Sequence, residues 1–310
     1  MRFLQSILNT SNQHATEFMR QQGFSALLAL LTLPNLPADF GNSAACYYMS
    51  TVMWWLFKCT LDKNIFVGVL QKLKSIMTDR LDPVVVARFS DSCKNMGPSV
   101  MLNDLIQNAQ PKEKWQETEL WRAISMMYTH ISVLLQVCRP DHSSDQLRNL
   151  ALEQWATKLG QELINALSRI HVMLHWETVN MTACVEEGAL NDHLSEHFPK
   201  LKDQFDALVE IIDKAVTVPA NLLAAMSESI DSPMDVDQPI DQAASQESAS
   251  TSATTTQANP ATVALMKKLV DPIVATSRNI SKSIEDLFAL LLKVTRVLKV
   301  FYCIHFTFIH

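Results

Sequence analysis

A chain of 310 residues is long enough for one large domain or two smaller ones with real cores. Hydrophobic residues make up 48% and charged residues 19%, with only 6 glycines, so most of the chain should fold, and as helix in preference to sheet. The formal net charge of −6 argues against a dominant nucleic-acid surface and leaves room only for a local basic face.

Six cysteines (Cys46, Cys59, Cys93, Cys138, Cys184 and Cys303) form no C-x-x-C pair and match no zinc spacing. Near the N-terminus, Phe3, Leu4, Ile7 and Leu8 have helical spacing, not the continuous apolar run of a signal peptide. Reduced thiols and a cytoplasmic or nuclear location are the expectation.

The spacing predicts a first helix over about residues 2–21, ended by Gly23. Phe24, Leu27, Leu28 and Leu31 form one face of the next helix. Pro34 and Pro37 forbid its continuation, and Asn42 or Ser43 can cap the helix that follows. Ala44 and Ala45 allow a neighbouring helix to come close. Met49, Val52, Met53 and Leu56 then point inward, with Trp54 and Trp55 widening that face. A further stripe is Ile65, Val69, Leu73 and Ile76. Residues 79–98 read as looser, with Pro83 and the Gly97–Pro98 break, and Ser99 or the preceding turn starts a short helix to about Ala109.

Two long helices follow. Leu120, Ile124, Met127, Ile131, Leu134 and Cys138 mark the first, and Arg139–Pro140–Asp141 is the turn. Trp155, Leu159, Leu163, Leu167, Ile170 and Leu174 mark the second, from about Ser144 to Cys184 with a kink near Gly160. An antiparallel hairpin is the natural packing for such stripes. Residues 185–229 are acidic and less regular, with an amphipathic run over 201–215. Residues 230–260 lack Lys, Arg and aromatic side chains and read as a disordered acidic, Ser/Thr-rich linker. Order returns with Ile280, Ile284, Leu287 and Leu291, and Asp271–Pro272 is expected to kink or divide this region. The fold class is all-α, an armadillo-like helical solenoid fragment. Its parts are a solenoid over 1–229, the linker over 230–260, a helical continuation over 261–296 and an apolar tail over 297–310.

The stretch LTLPNLPADFGNSAAC (Leu31–Cys46) resembles a segment in the helical N-terminal half of the giant HECT, UBA and WWE domain ubiquitin ligases. The resemblance continues in order. It takes in SILNTSNQHATEFMRQQGF before that stretch and NLALEQWATKLGQELINALSRIHVMLHWETVNMTAC around Trp155 and Trp176–Glu177. Met234–Asp237 (MDVD) stands in the acidic linker, and ATVALMKKLVDPIVATSRNISKSIEDLFALLLKV follows it. In that family a C-terminal HECT domain does the chemistry. Its cysteine receives ubiquitin from an E2 and passes it to a substrate lysine. Nothing in this chain resembles that domain or the UBA and WWE modules, so no catalytic residue carries over.

The resemblance therefore implies a non-catalytic scaffold that recruits substrates for ubiquitination and proteasomal degradation. Its expected partners are protein substrates of the parent ligase and the rest of the ligase solenoid. No cofactor, membrane or nucleic acid is expected. It also implies a piece of a longer chain, and Val297–His310 (VLKVFYCIHFTFIH), which matches nothing in the family, is expected to be a gene-model artefact. A free-standing helical adaptor is the alternative.

The residue patterns leave few chemical candidates. His193, Glu196 and His197 fit H-x-x-E-H, in which two histidines on one helix face bind zinc and the glutamate acts as general base. A zinc hydrolase built on them is the remote alternative, because Pro199 ends any helix there and no third ligand presents itself. His171 and His175 form a second i, i+4 pair beside an apolar stripe and read as boundary residues of a packed helix. The six tryptophans could line a groove, although core packing is the commoner use of aromatics at helical spacing. Cys138 and Cys184 lie in no nucleophile motif. Lys267, Lys268, Arg278, Lys282, Lys293, Arg296 and Lys299 could meet an acidic partner or the acidic linker itself, or simply form a solvated face. Ser232–Pro233 is a candidate phosphorylation site. Val300–Ile309 is too short to cross a bilayer.

Overall fold

The computed structural model describes residues 2–86, 99–138, 145–187, 200–212, 214 and 260–294. Within them the regular elements are helical throughout, and the fold is all-α. The expected linker over 230–260 lies outside the described residues except at Pro260, and the tail over 297–310 lies outside them entirely.

Helices α1 (Arg2–Thr10) and α2 (Asn12–Arg20) replace the single helix expected over 2–21. Ser11 breaks it: its hydroxyl accepts from the Gln13 N–H at 3.1 Å and caps α2. Gly23 does not end that helix either. Gln22 takes the left-handed turn (φ 59°), and Gly23 opens α3 (Gly23–Leu30). Gly23 lets the Phe18 ring pack close: a Cβ there would lie 2.4 Å from that ring, which would have to move.

The proline corner follows, ending in the 3-10 turn Phe40–Asn42. Ser43 then caps α4 (Ala44–Thr60), accepting from the Cys46 N–H at 3.1 Å. Met49, Val52, Met53 and Leu56 are buried as their spacing predicts, together with Phe57. Each such side chain contributes about 2 kcal/mol of burial. Asp62 caps α5 (Lys63–Ser75). The looser stretch expected from residue 79 begins as a π-helix over Ile76–Val86, continuous with α5. Ser99 caps α6 (Val100–Gln107), and a 3-10 turn over Lys112–Glu117 leads into α7 (Glu119–Cys138).

The second long helix is divided into α8 (Asp145–Trp155) and α9 (Lys158–Glu187). The break falls at Ala156–Thr157, just before the Gly160 where a kink is expected. Gly160 permits this corner: a Cβ there would lie 2.3 Å from the Trp155 carbonyl oxygen. Helix α10 covers 200–212 and buries Leu201, Phe205, Leu208 and Ile212. Helix α11 (Pro260–Val294) runs through Pro272 without dividing. Pro272 and Lys268 both face solvent, so water can satisfy the Lys268 carbonyl that the proline leaves without an N–H donor.

The packing is layered. Helices α1 and α2 lie on α4, and α3 lies on α5; α4 lies on α7, and α5 on α7, α8 and α9; α7 and α9 lie on α11. This stepwise arrangement is that of a helical solenoid. The hairpin helices take other principal neighbours: α7 packs against α4 and α11, and α9 against α11 and α5. The reason is that α7 is central, buried on nearly all sides from Leu120 to Cys138, so several helices share its surface. One continuous apolar core joins Leu8 at one end to Leu291 at the other.

Candidate functional site

The corner at Pro34–Asn42 is fixed to α7 by side chains. Ser125 Oγ donates to the Pro37 carbonyl at 2.7 Å, and the Tyr128 hydroxyl donates to Asn42 Oδ1 at 2.5 Å. Gly41 packs against the Tyr128 ring, where a Cβ would come within 2.7 Å. Burial pushes the Tyr128 phenol above its usual range, so it remains a donor.

A second clasp joins α9, α6 and α10. The Glu177 side chain is fully buried. Its carboxylate accepts from the Ser99 hydroxyl, from the Val100 N–H at 3.0 Å and from the Met101 N–H at 3.1 Å. It therefore supplies acceptors to the open N–H groups at the start of α6. Gln204 on α10 holds the same residue from the other side, accepting from the Ser99 N–H at 2.8 Å and donating to its carbonyl at 3.0 Å. Burial raises the Glu177 pKa, and the three donated hydrogen bonds oppose that rise. The sequence contains a signal for this residue: Glu177 continues the stripe Leu163, Leu167, Ile170, Leu174 and precedes Met181 at the same alternation of 4 and 3. A carboxylate in an apolar stripe needs buried donors.

A groove of about 530 Å³ lies between α9 and α11. Thr178, Val179, Thr182 and His175 form one wall, and Arg278, Ser281, Lys282 and Glu285 form the other. Arg278 Nη2 donates to Thr182 Oγ1 at 3.4 Å across it. Lys282 pairs with Asp286 at 3.1 Å, and Val179 is 51% exposed. The lining is largely polar and of mixed charge, with Val179 and Ala183 as its apolar residues.

Of the sequence candidates, His171 and His175 both turn towards α11. His171 Nδ1 lies 2.9 Å from Ser281 Oγ and its Nε2 lies 3.8 Å from Glu285. His175 lines the groove. His193, Glu196 and His197 lie outside the described residues. Among the described residues no group of three His, Cys, Asp or Glu is arranged to hold a metal ion. Burial pushes the Cys138 thiol up to about 12 and the Cys46 thiol up to about 11, so both are protonated at neutral pH. The side chains of Cys184 and Lys293 are outside the description, as are Cys93, Cys303, Arg296, Lys299 and Ser232. Lys267, Lys268, Arg278 and Lys282 are exposed on α11. No described helix is long and apolar enough to cross a membrane. Sequence reasoning also missed His130, which is fully buried, with Nδ1 at 2.7 Å from the Met126 carbonyl and Nε2 without a hydrogen-bond partner among the described residues.

Comparison with known proteins supplies the functional link that the geometry alone lacks. No family model matches the chain. Over 190 residues, 59% of its length, the chain is 30% identical to the E3 ubiquitin-protein ligase HUWE1 of Mus musculus, and equally to that of Rattus norvegicus. The resemblance to the HECT, UBA and WWE domain ubiquitin ligase is real. The chain spans 4% of the length of either relative. The similarity therefore ties these helices to an E3 ubiquitin ligase.

Proposed function

We propose that the chain is a non-catalytic, armadillo-like scaffold that gathers protein substrates for a HECT-type ubiquitin ligase. The observation that carries this reading is the 190-residue similarity to HUWE1. Ubiquitin transfer would then occur on a HECT cysteine outside these helices, followed by proteasomal degradation of the substrate. The groove between α9 and α11 is the surface offered to substrates, with Val179 as its apolar anchor point and Arg278 and Lys282 on its rim. Work in the cytoplasm or nucleus, beside further solenoid layers of the parent ligase, fits the same reading.

The role is tested by incubating the purified chain with E1, a panel of E2 enzymes and ubiquitin. A scaffold leaves the E2–ubiquitin thioesters intact and acquires no ubiquitin itself through a thiol. A thiol-sensitive ubiquitin adduct on any of its cysteines would overturn the non-catalytic reading.

A further inference from the structure

Trp54 and Trp55 sit side by side on the outer part of α4, both only partly buried. Trp55 Nε1 donates to the Leu8 carbonyl at 2.8 Å, which holds its indole against α1. The two ring centroids lie 5.9 Å apart with their planes inclined at 51°, so the indoles open a notch. One turn further on, Lys58 places its ammonium in that notch, 4.9 Å from the Trp54 centroid and 5.2 Å from the Trp55 centroid. Lys58 is exposed, and among the described residues no carboxylate lies within ion-pair distance of it. Two π faces hold the cation, without a counter-ion among the described residues. The same helix repeats the device two turns earlier, where the Arg2 guanidinium lies 4.8 Å over the Tyr48 ring.

We propose that the Trp54–Trp55 notch recognises a methylated lysine side chain of a partner protein, with Lys58 filling the notch in the unbound chain. Indole faces attract cations through their quadrupole and offer no hydrogen-bond acceptor. An unmodified ammonium entering such a notch leaves three N–H donors to find water. A trimethylammonium has no donor to satisfy and sheds its weak hydration easily, so the notch favours it. Lys58 is displaced without backbone movement, because its four-carbon stem can swing into solvent. The similarity to HUWE1 does not enter this argument, and the inference stands whether or not the chain serves a ligase.

The test follows the indole N–H resonances of Trp54 and Trp55 in the full chain and in a Lys58→Ala variant. The probes are N-acetyl-trimethyllysine amide and its unmodified lysine counterpart, which remove any dependence on peptide sequence. The notch predicts saturable shifts at both indoles in Lys58→Ala. Binding of the trimethylated probe should be about five- to tenfold tighter than that of the unmodified probe. The wild-type chain should bind it more weakly, because Lys58 competes. Absence of saturable shifts in Lys58→Ala, equal binding of the two probes, or shifts confined to other tryptophans would overturn the assignment. Tetramethylammonium serves as an independent competitor: displacement of the trimethylated probe supports the notch, and failure to displace it contradicts it.

Discussion

The carboxylate of Glu177 accepts the backbone N–H of Val100 at 3.0 Å across 77 residues of sequence. That bond, with those from Ser99 and Met101, makes one buried side chain the N-terminal anchor of another helix. Glu177→Ala leaves three donors without their acceptor in a closed site. We predict a loss on the order of 3 kcal/mol or more, read as a shift in urea midpoint, and a smaller loss for Glu177→Gln, which keeps one oxygen acceptor.

The same carboxylate gives a pH signature. Its folded pKa is raised above the usual 4.5 by burial. The folded state therefore binds the proton more readily than the unfolded state. The contribution is greatest below about pH 4.5 and falls as pH rises through the folded pKa. The stability difference between wild type and Glu177→Gln, followed upward from pH 4, should decline with pH; a flat difference would count against the assignment.

His130 titrates in the opposite sense. Burial pushes its pKa from 6.5 down to about 4, so it is neutral at pH 7. The unfolded state binds the proton more readily between those values. The stability present above pH 6.5 is lost as pH falls towards 4, by about 3 kcal/mol in all. His130→Leu should flatten that dependence in urea titrations at pH 7 and pH 5.

Gly160→Ala places a methyl group 2.3 Å from the Trp155 carbonyl oxygen, where the obstacle is backbone and cannot turn aside. A loss of about 2 kcal/mol is expected. Gly68→Ala is the control. Its Cβ would meet the Phe24 ring edge at 3.0 Å, and a side chain can give way. Thermal melts of the two variants should rank Gly160→Ala well below Gly68→Ala.

The proline corner is tied to α7 by Tyr128 and Asn42. Tyr128→Phe and Asn42→Ala should each cost about 1 kcal/mol, and the double variant little more than either single change. Additive losses would mean that the hydroxyl and the amide do not act as a pair.

Local features were legible in the sequence, and long-range pairing was not. The inward face of α4 follows from the spacing of Met49, Val52, Met53 and Leu56, and the caps at Ser43 and Ser99 follow from residue type. Ser11 carried the same capping signal but lies inside an otherwise regular apolar pattern, so the break at α2 was hidden. Pro272 reads as a helix breaker, yet its position on the solvent side of α11 makes it harmless. The principal partners of α7 and α9 depend on which faces other helices cover, and a stripe does not name its neighbour. Glu177 interrupts an apolar stripe, a signal the sequence reading left unused, and its donors at Ser99–Met101 could not be found without the fold. The histidines at 171 and 175 were seen as a pair, and only the structure shows Ser281 and Glu285 opposite His171.

The most direct measurement of the scaffold role fuses the chain to an active HECT domain and compares ubiquitin-modified proteins in cells with those from the HECT domain alone. A recruiting scaffold predicts a reproducible set of added substrates that a Val179→Glu, Arg278→Glu variant loses while remaining folded. An unchanged substrate set, or one that the groove variant leaves intact, would contradict recruitment through this surface.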